Sequence, residues 1–189
     1  MSCLPRALIF LLLLCEAFPV LGAGGQDQLT IRTNYYYATG TSPRQIRESM
    51  AKAKPARLAH DAQTDWHVDW KFTSVGGNAN CAIETLTLRT AITITLPRWM
   101  APSNAPPELI AKWKDYMAAL EKHEMWHRRM AEQAANRIRA ELPRLQGPCA
   151  TFLKTANASA NAILTDCKRR EADYDLKTEH GLTDGAHFP

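Results

Sequence analysis

Residues 107–142 read PELIAKWKDYMAALEKHEMWHRRMAEQAANRIRAEL, and inside them stands His123-Glu124-Met125-Trp126-His127. Leu109, Trp113, Tyr116, Met117, Leu120, His123, His127, Met130, Ala134, Ile138 and Leu142 recur mostly at steps of three or four. That is the inward stripe of one long amphipathic helix. The spacing predicts the helix from about Pro107 to Leu142, closed by Pro143 and Gly147-Pro148. Positions four apart lie one turn apart on the same face, so both imidazoles can point at one metal ion. Glu124 lies about 100° round the helix from His123, where it reaches a metal-bound water without being a ligand. Two imidazoles plus a third protein ligand leave zinc a fourth position for water. The ion lowers that water's pKa toward about 7, and Glu124 is placed to take the proton as general base. Without a metal, the same pair would be two core histidines with hydrogen-bond partners; Glu124 between them favours the metal.

Working outward toward the N-terminus, Ala101 to Pro107 is a proline-rich connector. Before it, Ala82 to Leu96 alternates, with Leu86, Leu88, Ile92, Ile94 and Leu96 in phase. This is a strand of about 50 Å, long enough that it must bend or pair in two pieces, and Pro97-Arg98-Trp99 ends it. Asp65 to Thr73 alternates too, Trp66, Val68, Trp70 and Phe72 facing one way and His67 the other, as a solvated strand residue. Leu29 to Tyr37 is a third strand. Between the first two strands, Ser42 is a fit N-cap, Pro43 suits the first helical position, and the helix stops before Pro55. Beyond the motif, a last helical pattern runs from about Ala150 to Lys177. The expected fold class is α+β: a small, mainly antiparallel sheet followed by two long helices.

Arg6, the apolar run Ala7 to Leu14 and the small residues Gly22-Ala23-Gly24-Gly25 read as a secretory signal peptide over residues 1–22, leaving one domain over 23–189. The expected address is secreted or periplasmic, with no membrane span after signal removal. The formal net charge of +4 is modest, and no basic run is interleaved with aromatics, so no nucleic acid partner is implied. Cys81, Cys149 and Cys167 remain in an oxidising compartment. On one helix Cys149 and Cys167 would stand about 27 Å apart. The expected disulfide therefore joins Cys81, which opens the long strand, to Cys149 beside the Gly-Pro turn, with Cys167 free. Asn157-Ala158-Ser159 matches a glycosylation acceptor and is discounted.

Leu96-Pro97-Arg98-Trp99, Trp113, the His123–His127 motif, and Tyr174-Asp175-x-x-Thr178-x-His180-Gly181 occur together in one chain. In this the chain resembles the bacterial family catalogued as domain of unknown function 922, described as predicted secreted zinc-dependent proteases. The resemblance implies a zincin-like active-site helix, one Zn2+ per chain and a peptide or protein substrate. The third ligand is not the metzincin one, since positions 130 and 133 are Met130 and Gln133. Two candidates stand in the C-terminal segment. Glu171 has a carboxylate, Asp175, one turn on. His180 belongs to the ending that marks the resembled family, and Gly181 permits a tight turn after it. The metal set is thus expected to be His123, His127 and His180, with Glu124 catalytic and Asp175 and Glu179 orienting the imidazoles. Tyr174 is a candidate oxyanion donor or a core tyrosine. The expected function is a secreted zinc metallopeptidase; the alternative is a non-catalytic periplasmic zinc-binding or interaction module.

Overall fold

The structure, a computed structural model, describes residues 26–77 and 79–189; the expected signal peptide lies outside them. In chain order they form β1 (Gln28–Ala38), α1 (Pro43–Ala53), β2 (Gln63–Gly76), β3 (Asn80–Trp99), α2 (Pro107–Glu141), β4 (Gln146–Pro148) and α3 (Cys149–Thr178). Short 3-10 turns follow α2 and α3, at Leu142–Arg144 and Leu182–Asp184. The fold is α+β, as the alternation and the two helical stripes implied.

β3 is the spine of the sheet, and it resolves its excessive length by pairing in pieces. β2 runs antiparallel along one edge, from Gly76 opposite Cys81 to Gln63 opposite Thr95, with a bulge at Thr73/Ser74. The other edge is shared: β1 runs parallel along residues 89–99, and β4 pairs antiparallel with residues 80–82. The sheet is therefore mixed. β3 continues through Pro97 to Trp99 rather than stopping at Leu96. β2 ends opposite Thr95, so among the described residues Pro97 has a strand on its β1 side alone, with Tyr36 opposite it, an edge position of the kind in which proline is tolerated. Trp99 is buried, and its indole donates to the Gly40 carbonyl at 3.0 Å.

α2 serves two cores. Its first half, with Leu109, Tyr116 and Leu120, packs with α1, the β1 end, Leu96, Trp99 and Phe188. Its second half, with Ala134 and Ile138, packs with Val68, Leu86, Leu88 and the α3 face Phe152, Ala156, Ala160 and Ile163. The motif lies where the helix passes from one core to the other. α2 and α3 are antiparallel: His123 meets Asp175, His127 meets Glu171, Gln133 meets Arg170 and Arg137 meets Asp166.

Cys81 and Cys149 are joined by a disulfide, and Cys167 is a free thiol buried in the second core. β4 explains the pairing, since it lays Gly147 opposite Cys81 just before α3 begins. The bridge closes a loop of 68 positions, and removing it with Cys81→Ala/Cys149→Ala should lower unfolding stability by about 4 kcal/mol, read from urea titrations of the oxidised parent and the double variant.

Candidate metal centre

His123, Glu124 and His127 are all buried on α2. His123 Nε2 and His127 Nε2 lie 3.2 Å apart. Asp175 of α3 completes a triangle, its Oδ1 3.1 Å from His123 Nε2 and 3.0 Å from His127 Nε2. Among the described residues these three form a group able to hold a metal ion. The donor chemistry fits: two imidazole nitrogens and one carboxylate oxygen converge, close enough for an ion with bonds of about 2.0–2.2 Å to touch all three. The group opens into a cavity of about 820 Å³ bounded by the segment before β2, the motif face of α2 and the end of α3.

His127 is held from behind. His127 Nδ1 stands 3.3 Å from Glu171 Oε1, the carboxylate–imidazole pairing that orients metal-binding histidines. Glu171 is fixed in turn by Trp66 Nε1 at 2.6 Å and Lys168 Nζ at 3.0 Å. Burial alone would lower the His127 pKa, but its bonds to Asp175 and Glu171 prevail and raise it to about 9. Burial alone would raise Asp175, yet hydrogen bonds from His123 and His127 hold it well below the usual carboxylate range. Glu124 shows the opposite balance. Burial pushes its carboxyl above the ordinary value, although Thr64 Oγ1 donates to Oε2 at 2.6 Å and the imidazoles attract the charge.

The tail behind α3 closes on His123. Glu179, His180 and Gly181 all have left-handed backbones, with φ of 49°, 54° and 89°. A Cβ on Gly181 would lie 3.1 Å from His123 Cγ and 3.3 Å from Nδ1, so glycine is required there both for its φ and for the ring it abuts. Tyr174 stacks on His123 with ring centroids 5.0 Å apart and on Trp126 at 4.0 Å. Its hydroxyl donates to Asp184 at 2.9 Å, and burial together with that bond pushes its pKa up to about 12. Tyr174 is a packing tyrosine in this arrangement.

The structure thus brings His123, Glu124 and His127 together as the motif predicts, but His180, expected as the third ligand, lies outside the triangle. Its Nδ1 is 3.8 Å from Asp175 Oδ1 and its ring stacks on His60. Glu171, the other candidate, stands behind His127. Asp175, expected to orient an imidazole, occupies the third corner. The Glu171-to-Asp175 spacing carried the signal for a one-turn pair; the roles within it are reversed. Thr64 and His60 had no sequence signal. His67 is exposed beside Asp69, and Asn157 is engaged by Trp70 Nε1 at 2.8 Å.

A long helix bearing two histidines and a glutamate, faced by an acidic turn of a second helix, defines an α+β protein with a candidate divalent-metal centre. The chain belongs to the family described as "Bacterial protein of unknown function (DUF922)", which matches residues 33–181. No curated protein and no solved structure matches it. Among the described residues no helix is long and apolar enough to cross a membrane.

Proposed function

We propose that the protein is a secreted or periplasmic zinc-dependent peptidase, with His123, His127 and Asp175 as metal ligands and Glu124 as general base. The observation that carries this reading is Glu124. A binding site needs the three ligands but not a fourth, buried carboxylate that opens into the same cavity and is held by Thr64. Zinc held there supplies a Lewis acid and a water acidified toward neutrality. Glu124, its pKa raised by burial, is tuned upward toward the range in which a carboxylate exchanges protons effectively with water. Thr64 fixes the carboxylate's orientation. β2 leads out of the cavity wall with one edge unpaired among the described residues, which suits an extended peptide added as a further strand. The disulfide supports an oxidising compartment. The test is digestion of a peptide library by protein loaded with one equivalent of zinc, with products read by mass spectrometry. Cleavage that a chelator abolishes and zinc restores supports the reading; no cleavage of any peptide favours the non-catalytic module.

Metal uptake should be proton-coupled. With its pKa near about 9 in the metal-free protein, His127 is protonated at neutral pH, and a metal on Nε2 must displace that proton. The raised pKa means that affinity is weakened at low pH and recovers as pH climbs. Zinc affinity should rise about tenfold per pH unit between pH ~7 and ~9 and then level off. Calorimetry in buffers of different ionisation enthalpy should record about one proton released per zinc near pH ~7.

A further inference from the structure

We propose that His180 donates the hydrogen bond that receives the substrate carbonyl oxygen as negative charge develops on it, with His60 holding its ring in place. This rests on the peptidase reading above. Acyl-transfer chemistry needs such a donor aimed at the oxygen, and the side-chain donors around the cavity can be taken in turn. Thr64 gives its hydroxyl to Glu124. The Gln63 amide is bonded to Asp65 and Lys54 Nζ reaches the Ala59 carbonyl at 3.1 Å, which ties both side chains back although each keeps a further N–H. Tyr174 is turned away to Asp184. His60 and His180 also line the cavity. Of the two, His180 has Nδ1 beside the third corner of the triangle, 3.8 Å from Asp175 Oδ1. That is too long for a hydrogen bond, so the nitrogen stands near the triangle without being consumed by the carboxylate.

The placement is built into the backbone. A left-handed residue bearing a Cβ is costly, yet Glu179 and His180 both adopt that conformation, and the His180 N–H is tied back to the Asp175 carbonyl at 2.9 Å. The reversal leaves the His180 side chain about half exposed at the cavity mouth. There its ring lies on His60, with centroids 3.7 Å apart and planes 18° from parallel. His60 is anchored through its neighbour Asp61, whose carboxylate takes hydrogen bonds from Arg47 and, at 2.8 Å, from the Tyr116 hydroxyl. In the hydrolytic step a water oxygen bonds to the carbonyl carbon and the π pair moves to the carbonyl oxygen. His180 donates a hydrogen bond to that oxygen, while the water's proton passes to Glu124. The oxyanion's pair then re-forms the carbonyl as the C–N bond breaks, the C–N pair leaving with nitrogen, which takes the proton from Glu124. His180 gives a hydrogen bond and no proton.

The test compares zinc-loaded wild type, His180→Asn, His180→Ala and His60→Ala. Asparagine tolerates a left-handed backbone, so His180→Asn separates the lost imidazole from backbone strain. Calorimetry measures affinity for a phosphinic peptide, whose tetrahedral anion replaces the scissile carbonyl, and for a peptide of the same length with that amide reduced to a methylene amine. Chelator competition measures zinc affinity. Both His180 variants should lose about 100-fold in phosphinic-peptide affinity, with His60→Ala losing about tenfold through a misplaced ring. Affinities for the reduced peptide and for zinc should stay within about threefold of wild type. Unchanged phosphinic-peptide affinity in both His180 variants would overturn the donor role while leaving the peptidase reading standing. Zinc affinity lost by orders of magnitude would make His180 a ligand instead. If wild type binds neither peptide, the peptidase reading falls and the donor role falls with it.

Discussion

Asp175→Ala should cost the protein its zinc, lowering affinity by more than about 100-fold, beyond what loss of a supporting hydrogen bond costs. Glu171→Gln, which removes the charge behind His127 but no corner of the triangle, should lose about 10- to 100-fold. The expected order of damage is therefore Asp175→Ala, then Glu171→Gln, with His180→Asn last. The reason is geometric: Asp175 Oδ1 is 3.0–3.1 Å from both Nε2 atoms, whereas Glu171 approaches only Nδ1 of His127. Titration of each variant against a chelator of known affinity decides it. If Glu171→Gln is the most damaged, the carboxylate one turn earlier is the ligand and Asp175 supports it.

Glu124→Gln should keep the metal and the fold and lose about 10²- to 10⁴-fold in hydrolysis. Glutamine fills the same volume, and its carbonyl oxygen can still accept from Thr64 Oγ1, so the local structure has no reason to move. What disappears is the ability to take a proton. A buried carboxyl with a raised pKa also predicts where the wild-type rate falls in acid: activity should decline at a pH above the ordinary glutamate value as Glu124 becomes protonated. Equal zinc content with undiminished turnover in Glu124→Gln would remove it as the base.

The two histidines were legible because a helix fixes its own geometry: His123 and His127 share a face whatever the chain does elsewhere. The disulfide was legible by a similar argument, since α3 keeps Cys149 and Cys167 apart. The third corner of the triangle was not. Glu171 and Asp175 occupy one stripe of α3, one turn apart, and which of them meets Nε2 depends on how far α3 slides along α2. That offset is set by the turn at Leu142–Arg144, by β4 and by the packing of Phe152, Ala156 and Ala160, none of which a periodic pattern encodes. His180 was misplaced for a related reason. Its distance from the ligands depends on three successive left-handed residues, and only Gly181 among them announces that conformation. The parallel placement of β1 was also hidden, because the alternation of a strand gives its face and not its direction.

α3 is fastened at two places. Cys149 at its start is bonded to the sheet, and Asp175 near its end stands at the triangle, about 39 Å away along the helix axis. Closing either fastening raises the effective concentration of the other's partners. Oxidation of Cys81 and Cys149 therefore fixes the start of α3 to the sheet and presents Asp175 to the histidines in advance of any metal. With the bridge reduced, α3 would keep its packing and its contacts from Glu171 to His127, Arg170 to Gln133 and Asp166 to Arg137, but its start would no longer be bonded to the sheet.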